Sequence, residues 1–436
     1  MTRTSRSFRT LAVTAAATAL GLLATACGGG DGATDAASDG KPVTLDYWTW
    51  TLGAKSTVDA FNRTHKDIKI RFTEIPSGTE GYSKLANAVK AGNAPDVATI
   101  EYQMVPEFAS QGNLLDLTRY AGDTVRTKFP KSVQSLVTFG GRTWTVPYDL
   151  APQLLYYRTD LFKKYGITVP TTWDEFRKAA EKVKKQDGGV RLASLPKNDP
   201  ALLAALSWQA GGKWFGTEGD AWKTGVDDTP TKKVTAYWDG LVKDGLVQTF
   251  TGYSPEETKA RAQGKTIAFL GASWSAGGMK TALPDLKGKW AVAPLPHWGT
   301  AASGNYGGTS YGVLKGSEHA EAATEFITWL TTNKAGVEAR LADLESPSSA
   351  LPADPDMRKV AAAEFDTGYF DGQDLYGLAS RQADTIVPGW TWGPDQMDVY
   401  TAIQDTTAKS GFTAGVEAGE RKAESGITDR GLKLAN

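Results

Sequence analysis

Tryptophans spaced two residues apart give the first chemical suggestion in this chain. Trp48 and Trp50 end the stretch TLDYWTW (residues 44–50), and Trp390 and Trp392 lie in PGWTWGP (residues 388–394). A further indole, Trp274, follows the apolar run 266–270 through a turn of small residues. Indoles at strand ends and in loops suit a partner with one flat apolar face and a polar rim, as a pyranose has. The chain holds 14 Trp against 15 Tyr and 15 Phe, a high share for a scarce residue. Carboxylates and amides complement such stacking by accepting hydroxyl hydrogen bonds, which charge strengthens. Glu101, Tyr102 and Gln103 follow the apolar run 97–100 at its carboxyl end, the place where open α/β sheets put ligands. Capping of a helix N-terminus is the competing role for Glu101. Tyr148 and Asp149 stand at a bend between two extended runs, 142–147 and 153–158, where hinge structure and ligand contact are both open. Trp48, on the strand itself, reads as core; Trp50, past its end, is the better cleft residue.

Hydrolytic chemistry finds little support. Residues 308–312 spell G-x-S-x-G, but a nucleophile elbow needs a strand before it and a helix after it. Here a glycine-rich loop precedes and a strand-like run follows, and no Asp lies between Ser310 and the only later histidine, His319. Gly264-Lys265-Thr266 lacks the upstream glycine of a P-loop. Three scattered histidines and one cysteine give no zinc spacing, so neither metal nor cofactor is expected. A secreted glycoside hydrolase is the rival reading, since it shares the aromatic wealth and needs two facing carboxylates. Glu101 with Asp149 is one such pair. A surface protein that grips polysaccharide without import is a third.

These groups need elements to hold them. Residues 43–48 read as a strand, 68–72 alternate as another, and 97–100 form a third, with helices between. That order, β-α-β-α-β with short connections, predicts a largely parallel sheet covered by helices. Thr172 and Glu175 form a capping box opening a helix that runs to about residue 185. Further helices are predicted over 200–210, 232–243 and 319–331, and strands over 266–270, 290–295 and 312–314.

At 436 residues the chain implies two or three domains. Its net charge is −1, and residues 1–26 hold three arginines and no acid, so −1 less 3 leaves −4 beyond them. No basic stripe is present, which argues against nucleic acid. Residues 1–26 read as an export signal: three arginines, an apolar run over 11–23, then Ala24-Thr25-Ala26 before Cys27, the only cysteine. Two fates compete, release at the A-x-A site or lipidation of Cys27 at a lipobox. The single cysteine at the junction favours lipidation, with residues 27–40 as a flexible tether.

With these segments in order, the chain resembles the extracellular solute-binding proteins of carbohydrate ATP-binding-cassette importers (family 1, maltose-binding-protein-like). The matching stretches are LDYWTW, AGNAPDV, GNLLDLTRY, VPYDLAPQLLYYRTDLF with VPTTWDEF, the AGG at 210–212, GKTIAFLGASW, and GGTSYGVLKGSEHAEAATEFITWL. The resemblance implies an α/β fold of two lobes (periplasmic-binding-protein-like, type II) with parallel and mixed sheets covered by helices and the ligand in the cleft between them. Residues 41–149 plus 285–340 would form lobe 1, and 150–284 plus 341–436 lobe 2. It further implies sugar contacts at Asp199, Trp208, Gln209 and Trp274, to which the loop indoles Trp390 and Trp392 are added. Helix core is the competing role for Trp208. Function follows as an expectation: a non-enzymatic, monomeric, lipid-anchored receptor on the extracellular face of the cell membrane. It would close around an oligosaccharide and deliver it to the permease.

Overall fold

A computed structural model describes residues 42–435. The export signal, the tether and Cys27 lie outside the described residues. Along Val43–Thr49, Leu45, Tyr47 and Thr49 are buried in alternation, the two-residue period of a strand. Ile68–Glu74 pairs with it in parallel, and Val97–Glu101, buried along nearly its whole length, pairs with its other edge, also in parallel. Thr309–Val313 then adds antiparallel to Val97–Glu101, and Val146–Pro147 closes the far edge. The resulting five strands form one mixed sheet. Helices Ala54–Thr64 and Gly78–Lys90 make the first two crossovers.

A second sheet is built on Gln153–Arg158, flanked antiparallel by Ala268–Ala272 and Trp290–Pro294. The strand Trp290–Pro294 corrects the expected lobe boundary, which had placed residues 285–340 with the first sheet. Trp290 is fully buried beside Phe269 of the same sheet, a centroid distance of 5.8 Å, so it packs with the second sheet. The chain returns to the first sheet only after Pro294. Helix Trp173–Gln186 is opened by the predicted capping box: Glu175 N–H donates to Thr172 Oγ1 at 3.2 Å and the Glu175 carboxylate accepts the Thr172 N–H. Helix Pro200–Gln209 begins with an Asp199 side-chain cap and a proline at its first position, which has no N–H to satisfy.

Three segments cross between the sheets. Residues 148–152 leave the first sheet, residues 295–308 return, and Leu351–Pro352 pairs antiparallel with Asp149–Leu150. The first two are laced together: Asn305 Oδ1 accepts the Ala151 N–H at 2.8 Å, Ser303 Oγ accepts the Gln153 N–H at 3.0 Å, and Tyr306 N–H donates to Ala151 O at 2.7 Å. Such bonding fixes the register of the crossings. Helices Gln396–Ser410 and Phe412–Asp429 pack on each other, the second against Thr229–Lys243. Among the described residues, no helix is long and apolar enough to cross a membrane.

Candidate cleft between the sheets

The two sheets and their crossings enclose a cavity of about 550 Å³, within the roughly 300–1,000 Å³ typical of small-ligand sites. One wall comes from the carboxyl ends of the first sheet's strands. Trp50 follows Val43–Thr49, and Glu101 ends Val97–Glu101. Trp50 stands edge-on to Tyr82 at 5.4 Å. The Tyr82 hydroxyl donates to Glu101 Oε2 at 3.0 Å and accepts the Glu101 N–H at 2.9 Å, so the carboxylate is locked from behind. Burial pushes the Glu101 carboxyl above the usual range, against the opposing pull of Tyr82 and Gln103. Gln103 also faces the cavity, and its side-chain oxygen is buried without a hydrogen-bond partner.

The opposite wall carries Asp199 and Trp274. Asp199 caps its helix by accepting the Leu202 N–H at 3.0 Å, and its second oxygen accepts the Tyr306 hydroxyl. Burial raises its pKa as well. Trp274 follows the strand Ala268–Ala272 through Ser273. Its indole N–H donates to Tyr306 O at 3.1 Å, which fixes the ring plane while leaving it part-exposed to the cavity. The Tyr306 ring packs against it at 5.1 Å.

The floor is the crossing itself. Tyr148 and Asp149 are both buried and both line the cavity. Burial pushes the Asp149 carboxyl from 3.8 up to about 7, opposed by the Thr309 N–H, which it accepts at 2.6 Å, and by the nearby Arg340 charge. Arg340 is 1% exposed, and its guanidinium lies over the Tyr148 ring at 4.4 Å. This arrangement supplies a buried cation without a direct ion pair. On the last side, Met397, Tyr400 and Gln404 of helix Gln396–Ser410 complete the enclosure. Glu107 beside the first sheet accepts the Met397 N–H at 2.9 Å, which ties this helix to the first sheet's wall.

Five expected contacts are placed elsewhere. Trp208, Trp390 and Trp392 are 4%, 5% and 4% exposed and pack on one another rather than facing the cavity. Trp390 stacks on Trp208 at 4.9 Å and 7°, and Trp392 meets Trp390 edge-on at 5.1 Å. The glycines and prolines around Trp390 and Trp392 shape a loop that folds inward: Phe215 lies within 2.4 Å of where a Cβ on Gly393 would stand. Gln209 is consumed structurally. It accepts the Trp173 indole N–H at 3.1 Å and donates to Pro296 O at 2.9 Å and Ala302 O at 3.1 Å, bracing the return crossing. Tyr102 is fully buried with its hydroxyl on Asp149 O at 2.8 Å, and its ring leaves no room for a Cβ at Gly308 (φ +91). Cleft residues that the sequence reading missed include Tyr82, Tyr253, Tyr306, Met397, Tyr400 and Gln404. Only Tyr306, inside the glycine-rich loop 303–308, carried a local signal.

Ser310 of the G-x-S-x-G match lies within the strand Thr309–Val313, fully buried, donating its hydroxyl to Ile100 O at 2.6 Å. A serine so placed is a sheet residue. No group of three or more His, Cys, Asp or Glu side chains is arranged to hold a metal among the described residues.

Comparison with known proteins agrees with this architecture. The arabinooligosaccharide-binding protein of Bacillus subtilis (strain 168) is 27% identical over 317 residues, 69% of this chain and 72% of its own. The lactose-binding protein of Rhizobium radiobacter is 25% identical over 403 residues, 84% and 92% of the two chains. Among solved structures, the ABC transporter associated binding protein of B. animalis subsp. lactis Bl-04, in complex with beta-1,6-galactobiose, superimposes with a TM-score of 0.81 at 26% identity. The match covers 91% of this chain and all of that one. The structural neighbours are two-lobed periplasmic binding proteins. The profile described as "Bacterial extracellular solute-binding protein" matches residues 47–337, and the chain belongs to that family.

Proposed function

We propose that this protein is the sugar-capturing receptor of an ATP-binding-cassette importer and that its ligand is a short oligosaccharide. The observation that carries this reading is the cleft's paired chemistry. Partly exposed indoles, Trp50 and Trp274, stand on opposite walls, and the carboxylates Glu101, Asp149 and Asp199 lie between them. Stacking on C–H faces with hydroxyls donated to carboxylates is what a saccharide asks of a site. The Tyr148–Asp149 crossing serves as a hinge, and the sugar shifts the lobes toward closure by contacts that only the closed form makes. The relatives' binding of arabinooligosaccharide, lactose and galactobiose supports the class of ligand.

Further parts of the reading are the lobe division at these crossings, a monomeric working unit, the absence of catalysis, and a lipid anchor at Cys27 on the extracellular face of the membrane. A thermal-shift screen of residues 40–436 against mono- and oligosaccharides, followed by calorimetry and product analysis, tests the assignment. A ligand at a hundredfold excess over Kd stabilises by ~2.7 kcal/mol, a shift of several degrees. Recovery of the bound sugar intact supports the receptor. Cleavage of the sugar makes the protein a hydrolase, and no shift with any sugar removes the carbohydrate reading.

A further inference from the structure

Among the described residues, two that are not glycine have a left-handed backbone, Asp371 (φ 55) and Tyr253 (φ 60). Asp371 ends a short 3-10 turn, a position where aspartate commonly adopts this conformation. Tyr253 has no such excuse: a bulky aromatic at positive φ is strained, and strain of this kind collects at ligand clamps. The turn is held on both sides. Gly252 N–H donates to Asn198 Oδ1 at 2.8 Å, and Tyr253 N–H to Glu257 Oε2 at 2.9 Å. Glu257 is itself 2% exposed, bound by the Ser194 hydroxyl at 2.9 Å and paired with Arg261 at 2.7 Å.

What this anchoring holds in place is an exposed ring. Tyr253 is 65% exposed, yet it lines the cleft, 6.1 Å from Trp274 and tilted 47° to it. Its hydroxyl is 2.9 Å from that of Tyr306. Because the Tyr306 O–H is donated to Asp199, the Tyr306 oxygen accepts from Tyr253, and one rail of hydrogen bonds runs Tyr253–Tyr306–Asp199. A large aromatic side chain left mostly in water, at a conformational cost, gives the unliganded fold little beyond one tyrosine–tyrosine hydrogen bond. We propose that Tyr253 is a ligand-contacting residue of the cleft: its ring and that of Trp274 form two walls of an aromatic corner that grips one sugar unit. The strained backbone is carried in order to hold that wall.

This inference rests on the saccharide reading, and the experiment separates the two. Tyr253→Asn removes the ring but suits the left-handed backbone; Tyr253→Phe keeps both ring and strain and loses only the Tyr306 bond. Calorimetry with the sugar that the unaltered protein binds, and melting of each ligand-free protein, are the readouts. Tyr253→Asn is expected to weaken binding about tenfold or more without lowering the ligand-free melting midpoint, while Tyr253→Phe stays within about threefold of the unaltered protein. Asparagine at this position with unchanged affinity overturns the clamp. A midpoint lowered by several degrees overturns the strain argument and makes the ring a packing residue. If the unaltered protein binds no sugar, the saccharide reading fails and the proposed clamp fails with it. The melting comparison then still decides the strain argument.

Discussion

Replacing Trp274 by alanine isolates the stacking contribution. The side chain is fixed by its indole N–H on Tyr306 O at 3.1 Å and by the Tyr306 ring, and only part of its surface faces the cavity. Taking roughly a quarter to a third of a ~250 Å² side chain as the face offered to ligand gives ~70 Å² to be covered on binding. At ~25 cal/mol per Å² that is ~1.8 kcal/mol, or about a twentyfold rise in Kd. Calorimetry at one temperature on the unaltered protein, Trp274→Ala and Trp274→Phe measures it. The phenylalanine variant is expected to recover about half the loss, because it keeps a planar face of smaller area. The ligand-free fold loses about 1 kcal/mol for the indole hydrogen bond, plus some packing. An alanine variant within about threefold of the unaltered Kd would falsify the stacking argument, since the area covered would then be negligible.

The interior indoles should behave in the opposite way. Trp390→Ala removes a ring stacked on Trp208 and sealed from solvent. A loss of about 3–5 kcal/mol in chemical denaturation is expected with sugar affinity nearly unchanged; equal affinity and stability losses would return Trp390 to the binding site. For pH, the Asp149 carboxyl titrates at 3.8 when unfolded and about 7 when folded, so the folded protein takes up its proton first. The stabilisation is fully present below about pH 4 and is lost as pH rises toward about 7. Burial shifts Glu101 and Asp199 in the same direction. The ligand-free protein should therefore melt higher at about pH 5 than at about pH 8, with a smaller gap in Asp149→Asn; an undiminished gap in that variant removes Asp149 as its source. Finally, the cavity is lined by Glu101, Asp149 and Asp199 and, among the described residues, by no Lys, Arg or His. At about pH 8, above the Asp149 midpoint, a uronic-acid disaccharide should bind about a hundredfold more weakly than its neutral counterpart, because like charges meet in a desolvated site. Equal affinity for the two would refute that.

Local rules account for what the sequence determined alone. The strand at Val43–Thr49, the capping box at Thr172 and Glu175, and the helix opening at Pro200 each depend on neighbours within a few residues. Chemistry at the carboxyl end of a strand was legible for the same reason, because Trp50 and Glu101 inherit their position from the strands that precede them. Trp274 follows its strand in the same way. Partnership across the chain was decided only by tertiary structure. Trp290–Pro294 reads as a strand from its own residues, yet which sheet it joins depends on Gln153–Arg158. An indole offers the same flat apolar face to a sugar ring and to another indole. Trp390 and Trp392 therefore looked like cleft residues until the fold brought Trp208 beneath them, its N–H bonded to a carbonyl 179 positions away. Tyr253, Tyr306 and Tyr400 reach the cleft from three separate parts of the chain, and nothing in their immediate neighbours says that those parts converge. Periodicity is a property of one segment, whereas a binding site depends on how distant segments are brought together.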